Sequence, residues 1–421
     1  MMTRSYAPLF AGALLLSSKH QIHAEEQPLK LVKVQIISRH GARTPISVIP
    51  NFKQQPWDNC LPNRHFTTSE FGNESFKFVK ETFIAKQSSI CEKGQLTLEG
   101  MEQMFKVGVN IFEKYRNFLK DNGVTTRANL IDQMNARSTV VSGHRTEISM
   151  QSVLSGMLSC LPPQDCLPPI TINIVPSNLE NMYPSGRSCP RLRKIIKQIE
   201  EKDPVIQEHL TNVMNPLKEK LDQLFQNGSS DPSKQGEKKT ESIEAVTHTE
   251  PRSFPTWEGL NNTIAILQYH KRPLPEGLSD EDVEVIRDYA ALKEGRIWNG
   301  DYKYDENYAP NETKRLGIGR FLGDLLTSLK STVDGEKGPC MEIYMGHDTT
   351  LLPLLNALDV YDNRWPPMGS NVALELYVDG RNKYHVKIVY DDKLRCTLPF
   401  EEFEKNVTKL IPVDFNKECS V

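Results

Sequence analysis

The amino-acid sequence predicts an α/β fold with a mostly parallel sheet and an inserted α-helical cap. A short run rich in β-branched residues, 31–38, is typical of a strand buried on both faces of a parallel sheet. Further strands and amphipathic helices are predicted on either side of a mainly helical block, 191–300. A helical block between two α/β stretches indicates a cap inserted into an α/β core.

Length and composition place the chain among globular proteins. Its 421 residues suffice for one large domain with an insertion or for two domains. The hydrophobic fraction of 38% and the charged fraction of 25% are ordinary for such a protein. A net charge of −3 and a pI of about 6.4 exclude a nucleic-acid binder, which would carry a basic excess.

The predicted organisation has three parts. Residues 1–24 are a signal peptide with an uncertain boundary, and 25–175 together with 301–421 form the α/β catalytic core. Residues 176–300 form the helical cap, which carries a mobile polar loop near 227–249 because large apolar residues are nearly absent there.

The N-terminus has the features of a secretory signal. Arg4 precedes an apolar run, 7–16, that is too short to span a bilayer comfortably. The cleavage site is ambiguous because Ala24 is small but Ile22 is not, and a short membrane anchor is the alternative interpretation. No later stretch is long and apolar enough to span a membrane. We therefore expect a secreted or lumenal protein of the lysosome or endomembrane system, without a transmembrane segment after signal removal.

Cysteines and glycosylation sequons agree with this compartment. An even number of cysteines suits disulfides, although the sequence leaves their pairing open: Cys60, Cys91, Cys160, Cys166, Cys189, Cys340, Cys396 and Cys419. Five N-glycosylation sequons are present, at Asn73, Asn227, Asn261, Asn311 and Asn406.

The elements follow from local patterns. A long surface loop is expected over 46–91, after which Thr97 opens a helix with Gly108 at a close contact. Asp203-Pro204 and Ser279 mark further helix starts. The other predicted elements are a helix near 147–157, a strand over 170–175, a helix from 312, a strand over 341–345, a helix over 351–358, and an antiparallel hairpin of 372–378 and 384–390.

The first strand ends in the motif Arg39-His40-Gly41-Ala42-Arg43-Thr44-Pro45. Ligands of open α/β sheets bind just beyond the carboxyl ends of strands, so this motif is the candidate reaction centre. The guanidinium groups of Arg39 and Arg43 match phosphate oxygens, and a neutral His40 imidazole could attack phosphorus. Gly41 would let the backbone approach the ligand closely.

A second motif, Gly346-His347-Asp348, follows the predicted strand 341–345. Asp348 could protonate the leaving oxygen of an ester, while His347 could donate a hydrogen bond to a phosphoryl oxygen. A His-Asp pair alone is a weak signal, and a helix-capping aspartate beside a histidine is the simpler interpretation. The pair gains weight because the first motif also stands at a strand end.

The two motifs resemble those of the histidine acid phosphatase family. The family pattern R-H-G-x-R-x-P is matched by 39–45, and its H-D pair by His347 and Asp348. The resemblance runs over about 31–419, and 344–377 is similar to the lysophosphatidic acid phosphatase branch in particular. It implies a phosphoglycerate-mutase-like sheet with flanking helices.

The resemblance also implies roles. His40 would be the nucleophile that becomes phosphohistidine, and Asp348 the general acid. Arg39, Arg43 and His347 would bind the phosphate.

A third phosphate-binding arginine of the family comes from an R-S-T segment, which matches Arg137-Ser138-Thr139. Relatives commonly show a second Arg-Thr about six residues later, whereas here His144-Arg145-Thr146 comes eight residues later. We therefore choose Arg137 and interpret Arg145 as a structural ion-pair residue; a surface salt bridge is the alternative for Arg137.

The expected activity is hydrolysis of phosphate monoesters by a secretory-pathway acid phosphatase through a phosphohistidine intermediate. No metal or cofactor is expected, because three arginines supply the positive charge. The alternatives are a lysophosphatidate-type lipid phosphatase at a membrane surface and a secreted phospholigand-binding protein with low turnover. A phytase-like role is weakened by Thr350, where phytases usually have asparagine. The partner is a small-molecule or lysolipid phosphate monoester, and the oligomeric state stays open, a homodimer included.

Overall fold

The computed structural model describes residues 29–50, 52, 55–60, 91–139, 144–227, 254–303 and 309–420. The predicted signal 1–24, the sequon at Asn73 and nearly all of the predicted polar loop 227–249 lie outside these residues. Loop 46–91 is described only at its two ends.

A seven-stranded sheet in the order β3-β2-β4-β1-β5-β6-β7 lies at the centre of the described chain. Its strands are β1 Lys30–Arg39, β2 Met134–Ser138, β3 Ile172–Ile174, β4 Met341–Gly346, β5 Asn371–Val378, β6 Tyr384–Tyr390 and β7 Lys393–Pro399. The pairs from β3 to β1 are parallel, and those from β1 to β7 are antiparallel. The predicted α/β class and the hairpin are confirmed, whereas β7 and the helices after it are not predicted from the sequence.

Twelve α-helices are described. They are α1 Leu98–Asp121, α2 Arg127–Asp132, α3 Arg145–Ser159, α4 Pro190–Lys202, α5 Pro204–His209, α6 Asn215–Asn227, α7 Trp257–Tyr269, α8 Asp280–Asn299, α9 Glu312–Val333, α10 Asp348–Ala357, α11 Phe400–Thr408 and α12 Phe415–Glu418. A π-helical turn, Leu210–Met214, joins α5 to α6.

Helices cover both faces of the sheet. Alternate residues of β1 point to opposite faces, so Val34 and Ile36 pack with α1 and α3 while Ile37 packs with α9 and α10. Seven consecutive residues of β1 are buried, which confirms the prediction of a strand covered on both faces. The sheet therefore presents its strand ends, and not its faces, to ligands.

Glycines set the distance between α1 and its neighbours. A Cβ atom at Gly108 would lie 2.0 Å from the carbonyl oxygen of Val153 on α3, which confirms the predicted close contact. A Cβ atom at Gly41 would lie 2.6 Å from the carbonyl oxygen of Gly100 on α1. The glycine in the first motif thus lets α1 approach the motif, while the close approach of a ligand stays a prediction.

Helices α4 to α8 follow one another between β3 and α9. Asp203 caps α5 with its carboxylate, and Ser279 forms a capping box with Asp282 at the start of α8, as predicted. Buried residues of α6, α7 and α8 form a core of their own, to which Ile49 from the segment after the first motif also belongs. The division of the chain into a core and a cap at 176 and 300 stays a prediction.

Two disulfides link distant segments. Cys60 pairs with Cys91, and Cys189 at the start of α4 pairs with Cys419 after α12. The remaining cysteines are free: Cys160, Cys166, Cys340 and Cys396. None of the helices in the described ranges combines the length and apolar character needed to cross a membrane.

Candidate active site

The two sequence motifs meet at the carboxyl ends of β1 and β4. These strands are neighbours in parallel register, with Arg39 opposite Gly346. The amide of His40 donates a hydrogen bond to the carbonyl oxygen of Gly346 at 3.0 Å. The rings of His40 and His347 lie edge to face with centroids 5.4 Å apart. Segments about three hundred residues apart therefore form one cluster, as predicted from the strand-end rule.

All five predicted motif side chains in this cluster are buried. Their exposed fractions are 3% for Arg39, 1% for His40, 5% for Arg43, 5% for His347 and 8% for Asp348. Removing so many ionisable groups from water is unfavourable unless they form ion pairs or bind a ligand of opposite charge. Such a concentration is characteristic of functional sites.

His40 is held as a neutral imidazole with a free nitrogen. Its Nδ1 lies 2.8 Å from the carbonyl oxygen of Gly41, which can only accept, so Nδ1 carries the proton. The lone pair is consequently on Nε2. Burial, followed by the positive charges of Arg145 and Arg43, lowers the pKa of His40 well below its usual value. The imidazole thus stays unprotonated in mildly acidic solution.

Arg39 is fixed by three partners. Its Nη1 donates to the carbonyl oxygen of Pro366, and its Nη2 donates to Asn262 Oδ1 at 2.8 Å and to Asp348 Oδ2 at 2.8 Å. Asn262 belongs to α7, so a helix far along the chain contributes to the site. The Nε of Arg39 has no hydrogen-bond partner among the described residues.

Arg43 offers a second guanidinium group. Its Nη1 donates to the carbonyl oxygen of Thr44 at 3.0 Å, and within the described ranges its Nε also lacks a partner. Burial and the charges of Arg145 and Arg39 lower the pKa of Arg43 to about 9, at which it is still a cation in acid. Two such N–H donors beside His40 suit an anionic ligand.

His347 is oriented by its neighbours. Its Nε2 lies 3.0 Å from Thr139 Oγ1, and its ring lies edge to face with Tyr183 at 5.7 Å between centroids. Burial and the charge of Arg145 lower the pKa of His347, although Asp348 acts in the opposite direction. His347 is therefore neutral in the ligand-free protein.

Asp348 begins α10, where the helix dipole favours a negative charge. One of its oxygens accepts from Arg39, and the other accepts from the amide of Thr349 at 2.9 Å. Burial alone would raise the pKa of Asp348, but the charges of Arg39 and Arg43 hold it below its usual value. The carboxyl is ionised when the site holds no ligand.

Arg137, chosen from the sequence as the third phosphate-binding arginine, forms ion pairs with two carboxylates in the structure. The guanidinium group of Arg137 pairs with Glu180 at 2.9 Å and Asp324 at 3.1 Å, and it also bonds Asn181. Residue 137 lies within β2 with its side chain toward α9, over the ring of Phe321. Its positive charge is thus neutralised by two carboxylates, which is the ion-pair alternative.

The charge of Arg145, which the sequence analysis interprets as a structural ion-pair residue, acts on both histidines of the cluster. Arg145 is the first residue of α3, and after burial its charge has the largest effect on the pKa of both His40 and His347. Burial lowers the pKa of Arg145 to about 10. The charge of Asp348 acts in the opposite direction, and the charge of Arg39 lowers this pKa further. The sequence signal for Arg145 is its place in a His-Arg-Thr segment at the start of a helix. The eight-residue spacing from Arg137 argues against that signal.

Fold and site together define an α/β protein with buried arginines beside a neutral histidine. The chain belongs to the histidine phosphatase superfamily, branch 2, whose family model matches residues 30–391. The resemblance predicted from the sequence is confirmed, and so is the enzyme class, a phosphatase of the histidine acid phosphatase type.

Three similar proteins illustrate the relationship. A prostatic acid phosphatase of Bos taurus is 24% identical over 445 residues, covering 100% of this chain and 96% of that protein. A lysophosphatidic acid phosphatase type 6 of Homo sapiens is 24% identical, covering 97% of this chain and 91% of that protein. The solved structure of the phytase from Citrobacter braakii superposes with a TM-score of 0.57 at 15% identity, covering 93% of this chain and 100% of that chain, which supports the fold alone.

Proposed function

We propose that the protein hydrolyses phosphate monoesters through a covalent phosphohistidine on His40. The observation that carries this proposal is the hydrogen bond from His40 Nδ1 to the carbonyl oxygen of Gly41, which leaves the Nε2 lone pair free. Burial and the surrounding arginines keep the ring neutral in acid, where most histidines are protonated. A neutral, oriented imidazole is the nucleophile that such a reaction needs.

Three arginines supply the electrostatic stabilisation. The partnerless Nε–H groups of Arg39 and Arg43 donate to phosphoryl oxygens, and Arg145 adds a third positive charge. His347 donates a further hydrogen bond. Charge that develops on the phosphoryl oxygens during transfer then meets donors that are already in place.

The chemical steps follow from these positions. His40 Nε2 forms a bond to phosphorus as the ester P–O bond breaks, and Asp348 transfers a proton to the departing alcohol oxygen. Water then attacks the phosphohistidine and passes a proton to the Asp348 carboxylate. Inorganic phosphate and neutral His40 are released, so protons and charges balance over the cycle.

Asp348 has to gain a proton before it can act as the acid. The carboxyl is ionised without ligand because Arg39 and Arg43 stabilise its negative charge. A bound phosphate group offsets those positive charges, which raises the pKa of Asp348 in the complex. The proton arrives from solvent or with the substrate, since phosphate monoesters retain one proton below about pH 6. Activity is accordingly greatest in acid.

Trapping the intermediate tests the proposal. The protein is mixed briefly with a phosphorus-labelled monoester, quenched in base and separated from substrate. We expect label on the protein that survives base and is lost in acid, and no label on His40→Ala. No labelled protein, or equal labelling of the variant, contradicts the mechanism. A p-nitrophenyl phosphate assay near pH 5 separates this enzyme from a phospholigand-binding protein with low turnover.

We also propose that the protein works in the secretory pathway, as a secreted or lumenal glycoprotein. The disulfides Cys60–Cys91 and Cys189–Cys419 support this, because such bonds persist in oxidising compartments. Expression in eukaryotic cells, followed by fractionation and glycosidase digestion, tests it. A cytosolic protein with reduced cysteines contradicts it.

A lysophosphatidate-type lipid phosphatase is the second candidate. Its support is the similarity to a relative named lysophosphatidic acid phosphatase, over 97% of this chain. Lysophosphatidate hydrolysis and vesicle co-sedimentation, compared with the hydrolysis of small monoesters, separate this candidate from a general acid phosphatase.

A further inference from the structure

A polar cluster outside the active site surrounds the imidazole of His270, the residue directly after α7. The side chain is 2% exposed, and its ring makes edge-to-face contacts with Trp57 at 5.1 Å and Tyr269 at 5.2 Å between centroids. Its Nδ1 lies 3.9 Å from Oε2 of Glu99, in the first turn of α1. The ring is thus held with one nitrogen toward a carboxylate of another helix.

The hydroxyl of Thr97 shows which nitrogen of His270 carries the proton. Thr97 Oγ1 accepts from the amide of Gly100 at 3.0 Å and donates its one proton to the carbonyl oxygen of Ala42 at 3.2 Å. His270 Nε2 lies 3.4 Å from the same hydroxyl oxygen and is therefore the donor. A neutral imidazole has one N–H, so Nδ1 presents a lone pair on the side of Glu99.

The lone pair on Nδ1 is left unused by the protein. Within the described ranges, this atom is buried and has no hydrogen-bond partner. A buried acceptor without a donor is unfavourable, and the carboxylate of Glu99 adds a second acceptor beside it. Burial lowers the pKa of His270 below its usual value, so the ring does not readily take up a proton near pH 7. A metal cation satisfies both acceptors without a proton.

The charges that act on His270 also favour a cation. Glu99 raises the pKa of His270 more than Arg272 lowers it, so the negative charge has the larger effect at the ring. The guanidinium group of Arg272 lies 3.7 Å from the centroid of the Trp57 ring and donates to the carbonyl oxygens of residues 55 and 56. The positive charge is thus engaged by groups other than the imidazole.

We propose that His270 Nδ1 and the Glu99 carboxylate bind Zn²⁺. Imidazole nitrogen and carboxylate oxygen are both Zn²⁺ ligands, and in a tetrahedral site two such atoms lie roughly 3.4 Å apart. The 3.9 Å between Nδ1 and Oε2 has to close only by about half an ångström, which a side chain that is 51% exposed can do. Asn59 Nδ2 donates to the same oxygen at 2.7 Å and orients the carboxylate.

Water completes the coordination in this assignment. Among the described residues, no third histidine, cysteine, aspartate or glutamate joins the pair, whereas Glu99 is open to solvent. The ion links α1 to the end of α7, and through Asn59 to the segment 55–60. It takes no part in the chemistry at His40, so the inference is independent of the proposed function.

Titration of the intact protein with Zn²⁺ near pH 7, followed by calorimetry, tests the site. We expect one equivalent to bind to the wild type, and to bind at least about tenfold more weakly to His270→Gln and to Glu99→Gln. The matched control is His144→Gln, which removes the histidine of another histidine–glutamate pair, on α3, and should bind like the wild type. Equal binding by the wild type and His270→Gln contradicts the assignment, and so does a wild type that binds no Zn²⁺.

Urea unfolding provides a second readout and a check that the variants fold. An ion that binds only the folded protein raises the free energy of unfolding. Zn²⁺ should therefore raise the midpoint of the wild type, EDTA should reverse the rise, and His270→Gln should show a cooperative transition that Zn²⁺ does not move. A rise of the same size in His270→Gln shows that the ion binds elsewhere and refutes the site.

Discussion

Arg39 Nη2 lies 2.8 Å from Asp348 Oδ2 and joins the two motifs of the site in a buried ion pair. The pair has opposite consequences for binding and for catalysis. It holds Arg39 in place for a phosphate group, and it keeps Asp348 ionised until a ligand arrives. In the proposed mechanism, proton uptake by Asp348 is therefore coupled to phosphate binding.

Replacing the proposed acid gives the first prediction. Asp348→Asn should lower kcat by about 10²–10⁴ for alkyl phosphates, whose alkoxide leaving groups need a proton. The loss should be much smaller for p-nitrophenyl phosphate, whose leaving group departs as an anion. Steady-state kinetics on both substrates at pH 5 measure the difference. Equal losses would remove Asp348 from the role of acid.

The two candidate arginines give the second prediction. Arg145→Ala should lower kcat/KM by roughly 10²–10³, the usual loss for one donor to a developing negative charge. Arg137→Ala should alter kcat/KM far less and instead reduce stability, since Glu180, 2% exposed, is left without its cation. Urea unfolding and kinetics on both variants measure the contrast. A larger kinetic loss in Arg137→Ala would restore the assignment from the sequence.

Asn262 gives the third prediction, because it accepts from the same nitrogen of Arg39 as Asp348 does. Asn262→Asp places a negative charge there, which weakens the positive field at Asp348 and raises its pKa in the complex. The alkaline limb of the kcat profile should move up by roughly half a pH unit to one unit. Arg39, Asn262 and Asn363 line the same cavity. Asn363→Asp adds the same charge at another position of that cavity and serves as the matched control. An unshifted limb in Asn262→Asp, or the same shift in both variants, would contradict the coupling.

The buried histidines predict how stability depends on pH. The pKa of His40 is lowered in the folded protein, so below about pH 6.5 the unfolded chain binds a proton that the folded one does not. The free energy of unfolding consequently falls with decreasing pH by up to roughly 1.4 kcal/mol per pH unit for this residue. His40→Gln removes the effect. Urea unfolding between pH 6.5 and 5 should give a shallower slope for the variant, and parallel slopes would show that His40 is protonated when folded.

The disulfide between Cys189 and Cys419 gives a fifth prediction. It closes a loop with a sequence separation of 230 and ties α4 to the segment after α12. Cys189→Ser/Cys419→Ser should lower the free energy of unfolding by about 2–5 kcal/mol, because the unlinked unfolded chain gains freedom. Kinetics at 25 °C should change little, since neither cysteine contacts the site. A change in denaturation midpoint too small to measure would contradict this role.

The cluster around His40 was predictable because strand ends follow a general rule. A buried strand before each motif and parallel pairing suffice to bring residues 40 and 347 together. The identity of the third arginine was not predictable in the same way. Arg137 stands near a strand end in the sequence, but its side chain meets Glu180 and Asp324, which are 43 and 187 positions away. Nothing local to residue 137 indicates those carboxylates.

Other differences between the sequence-based expectations and the structure also have physical causes. The strand β7 consists of exposed and half-buried residues at the sheet edge, so it lacks the apolar run that is typical of β1. Asn262 stands in an ordinary amphipathic helix, and its contact with Arg39 depends on how α7 packs over the first motif. The sequence alone also does not show that Gly41 makes room for α1. Each of these depends on contacts between distant elements.

The hydrogen bond between the His40 amide and the Gly346 carbonyl joins two distant parts of the polypeptide, and the proposed mechanism needs both of them. A fragment that stops before β4 would contain His40 without Asp348, and the complementary fragment would contain Asp348 without His40. Recovered turnover during refolding therefore reports the moment at which β4 docks beside β1. The phosphatase activity regained when the two inactive fragments are mixed would report the same docking step.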